Sequence, residues 1–120
     1  MSKIAIFGAN GRMGRVLIDA VNQSQNDELS AAGVRDSSSF VGVDVGELAG
    51  IGKVGLEVTS DLSNYLASTD IFIDFTLPEA LADNLEFCVA HKKPIVIGTT
   101  GLSEEQKLLL QEAAKSIPIV

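Results

Sequence analysis

The sequence predicts an α/β domain of the doubly wound type, a mainly parallel sheet with helices on both faces. Three observations carry that reading. Short apolar runs alternate with amphipathic helical stretches along the chain. The first run, Lys3–Phe7, stops at Gly8; Gly11 and Gly14 follow at intervals of three, with a helical pattern directly behind them. Finally, 120 residues, 46% of them hydrophobic, suit one domain with an ordinary core.

The elements follow in order. After the strand Lys3–Phe7, the stretch Arg12–Asn22 places Met13, Val16, Leu17, Ala20 and Val21 at helical spacing, which predicts one buried face. A polar turn, Gln23–Glu28, leads into a second strand, Leu29–Arg35. Ser37–Gly55 is the least regular region, with a serine triplet and glycines at 42, 46, 50, 52 and 55. It reads as a long loop with a helical turn near Glu47-Leu48-Ala49; a binding role and a surface excursion both fit it. Glu57–Thr59 reads as a short strand, and Leu62–Ser68 as a short helix capped by Asp61.

Ile71–Phe75 is a buried strand whose one polar residue is Asp74. Pro78 opens a helix that runs to about Lys92 and buries Leu81, Leu85, Cys88 and Val89. The strand Pro94–Ile97 ends in Gly98-Thr99-Thr100-Gly101. Ser103 and Gln106 then have the spacing of a capping box, starting a helix through Leu108, Leu109 and Ala113 to Ser116. Ile117–Val120 begins one more strand. A parallel strand of such a sheet leads into further chain, so the sequence reads as a fragment, or as a protein shortened relative to its relatives. Internal repeats and linkers are absent.

Nine Lys and Arg against sixteen Asp and Glu leave a net charge of −7, which argues against nucleic-acid binding. A local cationic patch can still act against the global charge, and Arg12, Arg15 and Arg35 supply one if the fold gathers them at one edge. No apolar run approaches the ~20 residues of a membrane span. Met1-Ser2-Lys3 leads straight into the first strand, which predicts no signal peptide. A single cysteine fits a reducing, cytoplasmic setting.

The glycine run carries the chemistry. A strand, a tight glycine turn and a helix N-terminus together suit a pyrophosphate: the chain turns sharply, backbone comes close to the phosphates, and free N–H groups face the anion. The spacing G-x-x-G-x-x-G is one residue longer in its first gap than the common fingerprint. In this Rossmann-like reading Gly8 makes the turn, Gly11 admits the pyrophosphate and Gly14 allows close helix–strand packing; a tight βα turn without a ligand is the bland alternative.

Twenty positions beyond Gly14 stands Val34, which cannot accept a ribose hydroxyl, followed by Arg35 and Asp36. Arg35 suits a 2′-phosphate or the adenine face, so the sequence leans to NADPH. Asp36 reaches the ribose if the loop bends, which leaves NADH possible. Phe75, Thr76 and Gly98-Thr99-Thr100-Gly101 fall at the C-terminal ends of later strands, where open α/β sheets bind ligands. Asp74 reads as a structural acid in preference to a hydrogen-bond anchor for a neighbouring loop. Cys88 reads as core packing, and His91, the single histidine, as a partner of a helix C-terminus. Neither a zinc cluster nor a nucleophile–base–orienter set is legible.

Four segments together resemble the N-terminal domain of the 4-hydroxy-tetrahydrodipicolinate reductase (dihydrodipicolinate reductase) family. They are Gly8-Ala9-Asn10-Gly11-Arg12-Met13-Gly14, Asp44-Val45-Gly46-Glu47-Leu48-Ala49-Gly50, Ile73-Asp74-Phe75-Thr76-Leu77-Pro78-Glu79 and Ile97-Gly98-Thr99-Thr100-Gly101. The resemblance covers nearly the whole chain. It implies hydride transfer from NADPH or NADH to a cyclic, dehydrated form of the hydroxylated substrate, in the diaminopimelate route to lysine.

By position, Gly8, Ala9, Asn10, Gly11, Arg12 and Met13 would bind the pyrophosphate, and Arg35 the adenosine ribose or its phosphate. Gly98, Thr99 and Thr100 would lie beside the nicotinamide. The family often has an acidic residue where Val34 stands, which tilts the expectation to NADPH. Residues 1–120 would then be the dinucleotide-binding domain alone. In the family an Asn-Phe-Ser segment touching the cofactor follows shortly after the position of Val120. Beyond it lies a substrate domain with a histidine pair, a basic residue and a Ser-Gly-Thr substrate loop, through which members form homotetramers. The chain alone is therefore expected to be inactive, to meet small-molecule substrate only with that domain, and to self-associate or lose stability without it.

Two other readings remain open at this point. One is a non-catalytic nucleotide-binding module; the other is the cofactor domain of another dehydrogenase, of homoserine or aspartate-semialdehyde type. The Gly-Thr-Thr-Gly and Asp-Phe-Thr segments favour the reductase over the latter.

Overall fold

Four parallel strands in the order β2-β1-β3-β4 form the centre of the computed structural model, which describes residues 2–99 and 101–120. The elements are β1 (Ser2–Phe7), α1 (Arg12–Gln23), β2 (Asp27–Gly33), α2 (Val45–Ala49), β3 (Ile71–Asp74), α3 (Leu81–Ala90), β4 (Ile95–Ile97) and α4 (Glu104–Ala113). The 3₁₀ segments Leu62–Ser68 and Pro78–Ala80 precede β3 and α3. From β1 the chain crosses to β2 on one side, then to β3 on the other, so the winding reverses at β1.

Alternating side chains of the sheet supply two cores, as a sheet covered on both faces requires. On one face Ile4, Ile6 and Ala32 meet Ile18 and Val21 of α1 and Val45 and Leu48 of α2. On the other, Ala5, Ala31, Phe72 and Ile95 meet Leu81, Leu85 and Cys88 of α3 and Ala113 of α4. Phe7, Phe72 and Phe87 form an aromatic cluster within this second core, with Phe7 and Phe72 stacked at 5.2 Å.

Several expected elements shift. Helix α1 buries Gly14, Ile18 and Val21, while Met13 and Val16 stand exposed at 43% and 55%. The cause is Gly14: a Cβ there would lie 2.2 Å from the Gly8 carbonyl oxygen, so the helix presses its bare side onto the turn and rotates the expected face. Strand β2 runs two residues earlier than expected at both ends, because it pairs with β1 from Ser2↔Asp27 to Phe7↔Gly33 and the strands part at the glycine turn. Helix α3 stops at Ala90, with Lys92 in the left-handed region at φ 54°, and Val89 is only partly buried.

Helix α4 stops at Ala113, and Leu108 and Leu109 face solvent. Its rotation is fixed by Gln106, which completes the capping box with Ser103 and donates from Nε2 to the Pro78 carbonyl at 2.8 Å. Glu57 and Thr59 make isolated bridges to Asp44 and Gly33 in place of a strand. Ile119 bridges Ile95, so Ile117–Val120 lies along β4 without becoming a full strand.

The long loop is the largest departure. Its second half is packed structure, with Val45 fully buried and Leu48 nearly so. Asp44 organises it: one carboxylate accepts from the N–H groups of Gly46 (2.9 Å), Glu47 (3.2 Å), Val54 (3.0 Å) and Gly55 (2.8 Å). Gly50, at φ 78°, closes α2 with the left-handed residue a helix end favours.

The backbone donors, that of Val54 foremost, hold the Asp44 carboxyl below its ordinary 3.8. A depressed folded-state pKa contributes stability that is complete above the ordinary value and lost as pH falls through the depressed one. Hydrogen exchange at Val54 and Gly55, corrected for intrinsic rates, should therefore stay slow at pH 5–7 and quicken below about pH 3.8. Asp44→Ala should quicken it at neutral pH while β1 amides stay protected. Unchanged protection at Val54 and Gly55 in that variant would refute the clasp.

Candidate functional site

The C-terminal ends of β1, β2 and β3 open into one cleft of about 1460 Å³. It lies where the winding of the sheet reverses, the position at which open α/β sheets bind ligands. Gly8, at φ 76°, turns the chain out of β1, and the N–H groups of Gly8 and Ala9 both donate to the Gly33 carbonyl at 2.9 and 3.0 Å. A Cβ on Gly8 would also come within 2.7 Å of the Thr76 methyl.

Gly11 is different in kind. Its φ is an ordinary −77°, and a Cβ there would meet only the Gly8 carbonyl, at 3.4 Å. The chain's own packing therefore does not demand glycine; its bareness leaves room on the cleft side. As N-cap of α1, Gly11 offers no side-chain cap, and the N–H groups of Arg12, Met13 and Gly14 find no acceptor among the described residues. Orphan donors at a helix start carry a partial positive charge and suit an anion.

Of the residues singled out in the sequence, Gly8, Asn10, Gly11, Arg12, Met13, Arg35, Phe75 and Thr76 line this cleft. Ala9 does not: its side chain is fully buried behind the turn, and its N–H is spent on Gly33. Gly98 and Thr99 also stand behind the lining. A Cβ on Gly98 would lie 1.8 Å from the Phe75 ring, and the Thr99 hydroxyl donates to the Thr76 carbonyl at 3.0 Å. They position the β3 loop from the side. Thr100 falls outside the described residues.

Asp74 is fully buried, and it is also the loop anchor that ranked second in the sequence reading. Its Oδ1 accepts from the N–H of Thr76 (2.8 Å) and from the Thr76 hydroxyl; its Oδ2 accepts from Asn84 Nδ2 at 2.9 Å. Asn84 escaped the sequence reading. It stands ten residues after Asp74 on α3, and only folding shows that the two meet. Cys88 is core, as expected: burial, with the charge of Asp74, pushes its thiol up to about 12. His91 sits exposed at the end of α3 with its ring 4.9 Å from that of Phe87.

Two cations reach the cleft, Arg12 and Arg35. Arg15 stands just outside it, its guanidinium 5.7 Å over the ring of Phe40, which does line it. Among the described residues the ion pairs are Lys107–Glu104 and Lys115–Glu112, both on the outer face of the α4 region, so all three arginines are without a carboxylate partner. Asp36 is exposed and does not line the cleft. No three His, Cys, Asp or Glu side chains gather as metal ligands among the described residues.

The family whose model is described as dihydrodipicolinate reductase, N-terminus, matches residues 2–120. The chain belongs to this family. It is 67% identical over 120 residues to the 4-hydroxy-tetrahydrodipicolinate reductase of Pseudoalteromonas atlantica, covering all of this chain and 45% of that protein. To the protein of the same name from Hahella chejuensis it is 50% identical, over the same shares. The chain thus spans a little under half the length of these relatives.

Among solved structures, dipicolinate-bound dihydrodipicolinate reductase from Paenisporosarcina sp. TG-14 superposes with a TM-score of 0.69 at 25% identity, over 96% of this chain and 42% of that one. An aspartate semialdehyde dehydrogenase with NADP from Candida albicans shares the fold alone, at a TM-score of 0.68 and 16% identity over 83% of this chain and 30% of that one. The Rossmann-like fold is shared with dihydrodipicolinate reductase and with other oxidoreductases, and the family membership sets the chain with the former and not with the aspartate-semialdehyde type.

The contrast between Gly14 and Gly11 is directly testable. Gly14→Ala forces a methyl into the Gly8 carbonyl and should lower stability by about 1–3 kcal/mol, seen as an earlier urea midpoint. Gly11→Ala should cost less, because the reduced freedom of the unfolded chain offsets part of the N-cap preference for Gly over Ala. Equal midpoints for the two variants would contradict the packing argument.

Proposed function

We propose that this chain is the dinucleotide-binding domain of a reductase that transfers hydride to the dehydrated form of 4-hydroxy-tetrahydrodipicolinate, in diaminopimelate and lysine biosynthesis. The observation that carries the reading is the bare glycine turn under unpartnered α1 N–H groups, at the mouth of the cleft where the sheet reverses. The family membership supports that choice of reaction. NADPH, when bound, supplies the hydride; everything else falls to the protein.

Gly8 and Gly11, with the N–H groups of Arg12 and Met13, would take the pyrophosphate, and the Arg12 guanidinium would add charge beside it. Ala9 would contribute through the turn it helps to fold. Arg35 would meet the 2′-phosphate: Val34, at the end of β2, offers no acceptor for a ribose hydroxyl, and Asp36 is turned out of the cleft. Hence NADPH is the preferred cofactor and NADH the weaker one. Phe75 and Thr76, fixed by Asp74 and backed by Gly98 and Thr99, would line the nicotinamide end, a set to which the family resemblance adds Thr100.

No general acid, base or substrate-binding cluster accompanies this cleft among the described residues, so the substrate would be held by residues outside residues 1–120. The 120-residue chain is accordingly expected to bind cofactor and not to turn over. The parent protein would work in the cytoplasm as a homotetramer, with neither nucleic acid nor membrane as partner; no helix among the described residues is long and apolar enough to cross a membrane.

Fluorescence titration with NADPH and NADH tests the reading. Saturable binding of both is expected, NADPH the tighter, with Arg35→Ala removing most of the difference and Gly11→Ala weakening both. A charge-assisted contact of this kind is worth on the order of tenfold in affinity. Absence of binding by either dinucleotide would overturn the proposal, and equal affinity would overturn the role of Arg35.

A further inference from the structure

Among the described residues Asp74 is the one charged side chain that is buried, and no cation accompanies it. The Thr76 N–H, the Thr76 hydroxyl and Asn84 Nδ2 all donate to it. Both of its oxygens act as acceptors, so the group stands as a carboxylate. Neutral donors hold such a charge in place without cancelling it, as a lysine or arginine would.

The charge also lies just behind the cleft wall. Asp74 does not line the cleft, but Phe75, Thr76 and Asn84 do. Its hydrogen-bond partners are therefore the wall itself, cross-linked further by Asn84 Nδ2 to the Thr76 hydroxyl oxygen at 3.3 Å. On its core side the field is felt at Cys88, where burial first and then the charge of Asp74 push the thiol up to about 12. Asp61, Glu79 and Asp83 line the cleft as well, but all three stand exposed, where water and salt screen them.

We propose that the buried charge of Asp74, set behind Thr76 and Asn84, favours the oxidised, cationic nicotinamide over the reduced, neutral one and so assists hydride departure. The inference rests on the dinucleotide reading above, which puts the nicotinamide end at Phe75 and Thr76. When a dihydronicotinamide reacts, two electrons and a proton pass together as hydride to the acceptor, and the ring is left a pyridinium cation. Positive charge thus develops at that end of the cleft. A fixed negative charge in a poorly hydrated wall stabilises it more than it stabilises the neutral ring. Asp74 acts through Thr76 and through its field, as a positioning residue.

The test reads one ratio on the purified protein, the Kd of NADP⁺ over that of NADPH, by NADPH fluorescence titration and NADP⁺ competition. Both forms carry the same phosphates, whose contribution cancels in the ratio. Asp74→Asn keeps the shape and, with the Asn84 amide turned over, a hydrogen bond between the two residues, but removes the charge. The ratio should rise about tenfold, chiefly through weaker NADP⁺. Asn84→Lys keeps Asp74 and sets an ammonium beside it from a half-buried helix position, and should raise the ratio likewise. It decides the matter if Asp74→Asn does not fold. Asn84→Ala loosens the anchor and leaves the charge, so both forms should weaken together at an unchanged ratio. An unchanged ratio in either charge-removing variant that folds would overturn the role of Asp74 and leave the dinucleotide reading standing. So would a ratio that moves as far in Asn84→Ala. A parent that binds neither NADP⁺ nor NADPH would overturn both.

Discussion

The buried carboxylate of Asp74 is the constraint on which the cleft depends. A fully buried acid must have its oxygens satisfied, because an unpaired one costs several kcal/mol. Here the satisfaction comes from the start of the next loop and helix: the Thr76 N–H, the Thr76 hydroxyl and the Asn84 amide. Those bonds tie the β3 loop to the strand end and to α3. Its Thr76 methyl then fills the space that a glycine leaves at position 8, and its Thr76 carbonyl takes the Thr99 hydroxyl. The Asp74 carbonyl also accepts from the Gly98 N–H at 2.8 Å. The ends of β3 and β4 are thus tied together around one residue, and hydrogen bonds cross-link the floor of the cleft.

Bare backbone does the complementary work on the other side. Gly8, Gly14 and Gly98 each lie where a methyl group would collide with a neighbouring turn or ring, so their identity follows from how closely β1, α1 and the β3 loop approach. Gly11 alone of the turn glycines is free of that demand. The distinction matters because a glycine required by packing says nothing of a ligand, whereas one that packing does not require keeps space open for something else. The same close approach rotates α1: pressing Gly14 inward turns Met13 outward into the cleft and leaves Val16 in solvent.

Much of this was legible in the sequence, and the misses have identifiable causes. Strand and helix alternation, the glycine turn, the Asp61 cap and the capping box at Ser103 are local signals, and local signals survive into the fold. The face of α1 was misjudged because hydrophobic periodicity ranks Met13 and Val16 above Gly14, while contact geometry ranks them the other way. The half-loop around α2 was under-read although its signals were present: Asp44 as cap, Glu47 three residues on, Gly50 at the close. What no local pattern carries is the reach of Asp44 to Val54 and Gly55, or of Asp74 to Asn84. Such pairings exist only once the chain has turned back on itself.

The acidic character of the chain and a polyanionic cofactor stand in apparent conflict, and distance resolves it. Charges on exposed surface are screened beyond about 8 Å at physiological ionic strength. The carboxylates of α4, Glu104, Glu105 and Glu112, stand exposed on the helix that covers the α3 side of the sheet, and two of them are met by lysines of the same helical stretch. Within the cleft the nearer charges decide: Arg12, Arg35 and the orphan N–H groups of α1 face three carboxylates, those of Asp61, Glu79 and Asp83. A net charge of −7 therefore bears on solubility and on which macromolecules are repelled, while the polarity of the cleft orients what enters it. Phosphates are drawn toward Arg12 and the start of α1 and away from the acidic start of α3.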